Sequence, residues 1–103
     1  MMKTKKLNSK EIIRSLSENN EKLKDLSVNK IGLFGSYSKN EVKNESDIDF
    51  LVEFKSPTFD NLMDLYFLLE DIYDKKIDLV TKDGLSPYIK PLIENEIIWY
   101  ETR

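Results

Sequence analysis

The sequence predicts a small α/β domain in which helices pack against a mixed β-sheet, and three observations carry this prediction. Short apolar runs typical of strands recur at residues 30–34, 48–54 and 76–81. Stretches with apolar residues at helical spacing, at residues 9–25 and 60–73, alternate with these runs. The length of 103 residues is that of one small domain, so we expect residues 1–103 to form a single unit.

Four helices are predicted. The first spans residues 9–25, where Asn8 or Ser9 could cap it and Asn19-Asn20 is a weak patch in its middle. A short helix is predicted at residues 36–42 and a longer one at 60–73. The last is predicted at 87–95, although Pro91 lies inside it.

The strands are bounded by turn residues. Gly35-Ser36 ends the first apolar run, Pro57 follows the second, and Asp83-Gly84 closes the third. Residues 44–46 read as a loop, and residues 97–100 as a short final strand or a docked tail. About a dozen residues separate the first two strands, which leaves room for a short helical segment only.

The composition excludes several kinds of chemistry. The sequence has no cysteine and no histidine, which excludes disulfides, thiol catalysis, imidazole bases and Cys/His zinc sites. Any metal must therefore bind oxygen ligands, as Mg²⁺, Mn²⁺ and Ca²⁺ do.

The charge and the hydropathy of the sequence limit the kinds of partner that the protein can bind. The net charge of −3 and the lack of a long basic block argue against a long nucleic acid as partner. No apolar stretch approaches membrane-spanning length, and the basic residues 1–6 precede a polar run rather than the apolar core of a signal peptide. We therefore expect a cytoplasmic protein that does not enter membranes.

Three aspartates form the candidate catalytic cluster. Asp47 and Asp49 open the second strand and, being two residues apart, face the same way, while Ile48 and Phe50 face the other. Asp78 lies within the third strand and joins them if that strand neighbours the second. Three carboxylates can bind two metal ions, the usual apparatus for in-line displacement at phosphorus. An Asp-x-Asp pair alone, however, is often only a solvated strand end.

Gly35-Ser36 is a candidate phosphate-binding turn. A glycine between a strand and a helix lets the backbone approach a ligand, and the serine adds a hydroxyl donor. An ordinary turn with a serine N-cap would have the same sequence.

The combination of these motifs resembles a known family. Gly35-Ser36-Tyr37-Ser38-Lys39, Ser46-Asp47-Ile48-Asp49-Phe50-Leu51-Val52 and Ile77-Asp78-Leu79-Val80 resemble the polymerase-β-like nucleotidyltransferase superfamily. The segments at 84–89 and 96–100 resemble its smallest branch, the minimal nucleotidyltransferases that are paired with HEPN-domain proteins in toxin–antitoxin modules.

This resemblance implies a site and a reaction. Gly35 and Ser36 would hold the triphosphate of ATP, and Asp47 and Asp49 would coordinate Mg²⁺. Asp78 would complete the metal site and accept the proton of the attacking hydroxyl. AMP would pass to a tyrosine hydroxyl of a HEPN toxin, which makes this chain the antitoxin.

The sequence departs from the family in one stretch. The family's usual aromatic-Ala-Arg-Gly after Gly-Ser is here Tyr37-Ser38-Lys39-Asn40. Lys39 keeps the charge of the arginine, and we retain it as a nucleotide-binding residue, but it lacks the arginine's bidentate fork. This departure favours an alternative in which the chain neutralises its partner by binding alone.

Two further alternatives concern partners. A small-molecule acceptor would require the chain to form a homo-oligomer. A contact surface for a protein could involve Trp99 and Tyr100, or whichever of Tyr66 and Phe67 faces outward, although the tail could equally pack on its own core.

Overall fold

The computed structural model describes residues 7–39 and 47–103 and confirms the predicted α/β class. Its elements are α1 (Ser9–Glu18), α2 (Asn20–Asp25), β1 (Val28–Phe34), α3 (Ser36–Lys39), β2 (Ile48–Phe54), α4 (Phe59–Tyr73), β3 (Ile77–Thr81), α5 (Lys90–Ile93) and β4 (Ile98–Glu101). The predicted helical residues 40–42 and the predicted loop at 44–46 lie outside the described residues.

The four strands form one mixed sheet in the order β3-β2-β1-β4. β1 pairs antiparallel with both β2 and β4, whereas β2 and β3 run parallel. α4 makes the crossover between the two parallel strands, as parallel neighbours require. The mixed sheet expected from the sequence is therefore confirmed.

One face of the sheet builds the core with the helices. Ile48, Phe50 and Val52 alternate along β2 and are buried, and the Phe50 ring lies 5.9 Å from that of Tyr73 in α4. The described core cluster comprises Ile12, Leu16, Leu23, Val28, Ile31, Leu33, Tyr37, Ile48, Phe50, Val52, Leu65, Leu69, Tyr73, Ile77 and Tyr100. Because this face is committed to the core, the intervening residues of β2 point to the other side of the sheet.

The first predicted helix is wrong as one continuous element, because Asn19 interrupts it between α1 and α2. The side-chain Nδ2 of Asn19 donates to the carbonyl of Ser15 (2.8 Å), so the side chain takes up a carbonyl at the end of α1. Such local bonding is why asparagine favours helix ends over helix interiors. At the start of α1, Asn8 is the cap, since its Oδ1 accepts from the N–H of Glu11 at 2.9 Å.

The last predicted helix is much shorter than 87–95. Only Lys90–Ile93 is helical, and turns flank it. Pro91 lies in the first turn, where its missing N–H costs no intrahelical bond. The final segment is a strand: β4 (Ile98–Glu101) pairs with the outer edge of β1.

None of the described helices combines the length and the apolar character that a membrane crossing requires.

Candidate active site

Asp49 and Asp78 lie side by side on neighbouring strands. They are register partners in the parallel pair of β2 and β3, so both project from the face opposite the core. Their side chains are close enough to share a hydrogen bond. The expectation that the third strand neighbours the second is thus met, and Asp78 lies beside Asp49.

Asp49 feels the charges of both other aspartates. The pKa of Asp49 rises from 3.8 to about 6, chiefly through burial, then through the charge of Asp78 and a hydrogen bond with it, and finally through the charge of Asp47. Like-charged carboxylates raise each other's pKa because they cannot all ionise without mutual repulsion. A cation bound between them would remove that repulsion.

Gly35 forms one wall of this cluster. It follows β1 directly and has a φ of 76°, a left-handed conformation that favours glycine. A Cβ at this position would collide with Oδ2 of Asp49. The glycine is therefore required twice, by its backbone conformation and by the carboxylate that lies against it.

The turn after Gly35 is held by its own hydrogen bonds. The Ser38 N–H (3.2 Å) and the Ser38 hydroxyl (2.8 Å) both donate to the Gly35 carbonyl. Tyr37 is only 2% exposed and belongs to the core, so its ring packs inside rather than stacking on a ligand. Ser36 is the first residue of α3 and directly follows Gly35, which lies against Asp49.

Lys39, at the end of α3, pairs with Glu96, whose carboxylate lies 3.3 Å from the ammonium. Glu96 precedes β4, on the far side of β1 from the aspartates. Sequence reasoning missed Glu96, because its contact with Lys39 joins positions 57 apart that meet only when β4 pairs with β1.

The donor chemistry of the cluster suits a divalent cation. Carboxylate oxygens are the ligands of Mg²⁺, and none of the ion pairs found in the described residues neutralises Asp47, Asp49 or Asp78. Across residues 7–39 and 47–103, no three acidic side chains already stand in metal-ligating geometry.

The aromatic residues of the tail pack on the domain itself. Tyr100 is buried, and its hydroxyl donates to Oδ1 of Asn20 at 2.6 Å. Trp99 lies over Gly32, with the Lys30 ammonium 4.4 Å from its ring centroid. Tyr100 therefore belongs to the core, whereas Trp99, paired with Gly32, lies half-buried on the opposite face of the sheet. Of the adjacent pair on α4, Phe67 is the outward-facing residue, at 55% exposure.

Comparison with known proteins identifies the class. Residues 10–100 match the family model described as a nucleotidyltransferase domain, so the chain belongs to the nucleotidyltransferase family. The resemblance to its minimal branch is confirmed by relatives that cover nearly the whole chain.

Two relatives illustrate the match. MJ1379 of Methanocaldococcus jannaschii, whose name assigns it provisionally to the protein adenylyltransferases, is 42% identical over 94 residues, covering 86% of this chain and 94% of the relative. The protein adenylyltransferase MntA of Thermococcus cleftensis is 33% identical over 95 residues, covering 90% of this chain and 96% of MntA.

Solved structures share the fold. A chain of the MntA–HpeT toxin–antitoxin Y104A mutant has a TM-score of 0.63 and 25% identity, with 95% of this chain and 75% of that chain covered. A chain of a toxin–antitoxin with AMP-PNP has a TM-score of 0.53 and 28% identity, with 69% and 63% covered. A complex of the tri-AMPylated Shewanella oneidensis HEPN toxin with its MNT antitoxin has a TM-score of 0.53 and 23% identity, with 81% and 69% covered, which shows the fold alone. The fold is that of the polymerase-β-like minimal nucleotidyltransferases.

Proposed function

We propose that this chain transfers AMP from ATP to a tyrosine hydroxyl of a HEPN-domain toxin and thereby acts as its antitoxin. The observation that carries the proposal is the pairing of Asp49 with Asp78 on adjacent strands, directly against the backbone of Gly35. The MntA relative is a protein adenylyltransferase, and toxin–antitoxin complexes are among the structural neighbours. The proposed reaction uses cytoplasmic ATP and Mg²⁺.

The aspartates are the proposed metal ligands. Asp47, Asp49 and Asp78 would hold Mg²⁺, which when bound supplies positive charge to the attacking and departing oxygens. Gly35, having no side chain, leaves its backbone open to the triphosphate, and Ser36 offers a hydroxyl and an N–H. The protein's contribution is then mostly position and electrostatics.

In the proposed reaction, ATP supplies the leaving group and Asp78 takes the proton. A bond forms between the acceptor oxygen and the α-phosphorus of ATP, and the bond from that phosphorus to the bridging oxygen of the β-phosphate breaks. Pyrophosphate leaves with the bonding electron pair. The proton of the acceptor hydroxyl passes to a carboxylate oxygen of Asp78.

Lys39 is the proposed cation for the departing phosphates. Its pair with Glu96 leaves the two side chains 46% and 30% exposed. Exposed pairs of this kind are worth about 1 kcal/mol or less. A triphosphate can therefore take the ammonium from Glu96 at small cost.

The decisive experiment incubates the chain with labelled ATP, Mg²⁺ and the protein encoded by the adjoining reading frame. Label should appear on the partner, require Mg²⁺, and fall at least ~100-fold with Asp47→Asn, because one metal ligand is lost. Asp83→Asn is the matched control, since Asp83 is exposed in the turn at the opposite end of β3. Equal labelling by both variants would refute the proposed site.

A binding-only antitoxin is the second candidate. The sequence at residue 39 favours it, because Lys39 stands in place of the family's arginine and lacks the bidentate fork that binds phosphate. Under this alternative the Asp47→Asn chain still neutralises the partner and no label is transferred.

A further inference from the structure

The proposed phosphate-binding lysine is held by a carboxylate of the same chain. The ammonium of Lys39, at the end of α3, lies 3.3 Å from Oε2 of Glu96. Lys39 comes four residues after Gly35, which places both on the same side of this helical turn. A triphosphate that lies on Gly35 and takes the ammonium must therefore displace Glu96 from it.

The strand pairing places Glu96 beside the candidate site. β4 runs antiparallel to β1 with Ile98 opposite Leu33, so Glu96 lies near the level of Gly35. On the other side of β1, Asp49 of β2 lies against Gly35. Gly35 thus has the aspartates on its β2 side and the carboxylate of Glu96 on its β4 side.

The backbone around Glu96 keeps its carboxylate at this position. The N–H of Glu96 donates to the carbonyl of Ile93 at 2.8 Å, at the end of α5. The side chain of the next residue, Ile97, lies over Gly32 in β1. The carboxylate therefore stays close to the ammonium of Lys39 when a ligand takes that ammonium, and it can pair with Lys39 again when the ligand leaves.

The strand order puts the leaving group of the proposed reaction on this side. In an in-line displacement the attacking and departing oxygens stand on opposite sides of the phosphorus. Asp78, the proposed proton acceptor, lies on β3, whereas Lys39 and Glu96 lie towards β4. Pyrophosphate therefore departs towards the Lys39–Glu96 pair, where the carboxylate repels the β- and γ-phosphates and competes with them for the ammonium.

We infer that Glu96 is an internal competitor of the triphosphate, which lowers the affinity of the site for ATP and promotes the release of pyrophosphate by taking back the ammonium of Lys39. Glu96 acts through Lys39, so it is a positioning residue rather than a catalytic one. AMP has no β- or γ-phosphate, so its affinity should not depend on Glu96. This inference rests on the proposed function, whose nucleotide site it deepens.

The test measures the binding of ATP, inorganic pyrophosphate and AMP to the full chain by calorimetry, in Mg²⁺ and without an acceptor. Glu96→Gln should lower the dissociation constants for ATP and pyrophosphate about threefold or more, since both ligands must break the ion pair of the wild type. The constant for AMP should stay within twofold. Glu96→Asp keeps the charge and should resemble the wild type with all three ligands. Glu94→Gln is the matched control, because it removes the charge of an exposed glutamate two residues earlier.

Three results would overturn the inference: equal ATP constants for Glu96→Gln and Glu94→Gln, weaker ATP binding by Glu96→Gln than by the wild type, or an equal gain in affinity for AMP. A wild-type chain that binds ATP but transfers no AMP to the protein of the adjoining reading frame refutes the proposed function. The same dissociation constants then still decide the role of Glu96. If no variant binds ATP, the proposed function and the inference both fail.

Discussion

At the scale of single residues, the candidate site places carboxylates close enough to repel one another. Asp49 is partly buried beside two other carboxylates and against Gly35, and its pKa is raised to about 6. The sequence could predict which residue types form this cluster, since Asp-x-Asp and the third aspartate are visible in it. It could not predict the burial, because that depends on how closely the turn at Gly35 approaches β2.

Asp49→Asn should therefore stabilise the metal-free protein at neutral pH. The folded pKa of about 6 exceeds the unfolded value of 3.8, so ionising Asp49 costs stability above pH 6, and the cost fades as the pH falls towards 4. After allowance for partial solvation we expect a gain on the order of 1 kcal/mol at pH 7.5 that shrinks at pH 4.5. Denaturant unfolding in EDTA measures both values.

The control for this prediction is Asp83→Asn, which removes an exposed carboxylate outside the cluster and should leave the unfolding free energy nearly unchanged. A loss of stability in Asp49→Asn at pH 7.5 would show that the aspartate is not under electrostatic strain.

At the scale of elements, the pattern of apolar residues alone was enough to predict the bounds of the most regular strand and helix. β2 (Ile48–Phe54) has the predicted bounds because five of its seven residues are apolar, and α4 differs from the prediction by one residue. The break at Asn19 and the short α5 were missed, because each depends on local side-chain bonding or proline placement rather than on hydropathy. The Lys39–Glu96 pair was missed because it depends on strand docking.

Tyr73 links two helices and should set an alkaline limit to stability. Its buried hydroxyl lies 2.7 Å from Ser15 Oγ and donates to the carbonyl of Ile12 at 3.1 Å. Burial raises its pKa from 10.0 to about 12, so the stability it contributes is intact below pH 10 and is lost as the pH rises from 10 to 12. Tyr73→Phe should cost about 1 kcal/mol at pH 8 and flatten this alkaline decline.

Urea unfolding at pH 8 and pH 11 measures this effect, with Tyr88→Phe as control because Tyr88 is 86% exposed. Identical pH dependence in wild type and Tyr73→Phe would show that the buried phenol does not limit stability.

At the scale of the whole molecule, the order of the strands brings the aspartates together and also closes the fold, because it joins the C-terminal segment to the first helices. The parallel pairing of β2 with β3 brings Asp78 to Asp49, and the pairing of β4 with β1 returns the C-terminal segment to the first helices. There the Oδ1 of Asn20 accepts from the Tyr100 hydroxyl and from the Arg103 N–H. The sequence predicted the strands but not their order, because hydropathy does not encode which edges meet.

This pairing of β4 with β1 predicts that the chain unfolds as one unit. It also predicts that the pairing requires a glycine at position 32. A Cβ at Gly32 would collide with the side chains of Ile97 and Trp99, so Gly32→Ala must displace β4 or its neighbours at a cost of about 1–3 kcal/mol. Because Trp99 is the only tryptophan in the sequence, its fluorescence reports on β4, while circular dichroism reports on the helices. Both signals should shift together to lower denaturant, since the described core is one cluster that includes residues of α1, the sheet and α4. A tryptophan transition that precedes the loss of helix would show instead that β4 detaches on its own, and the closure would then not be cooperative.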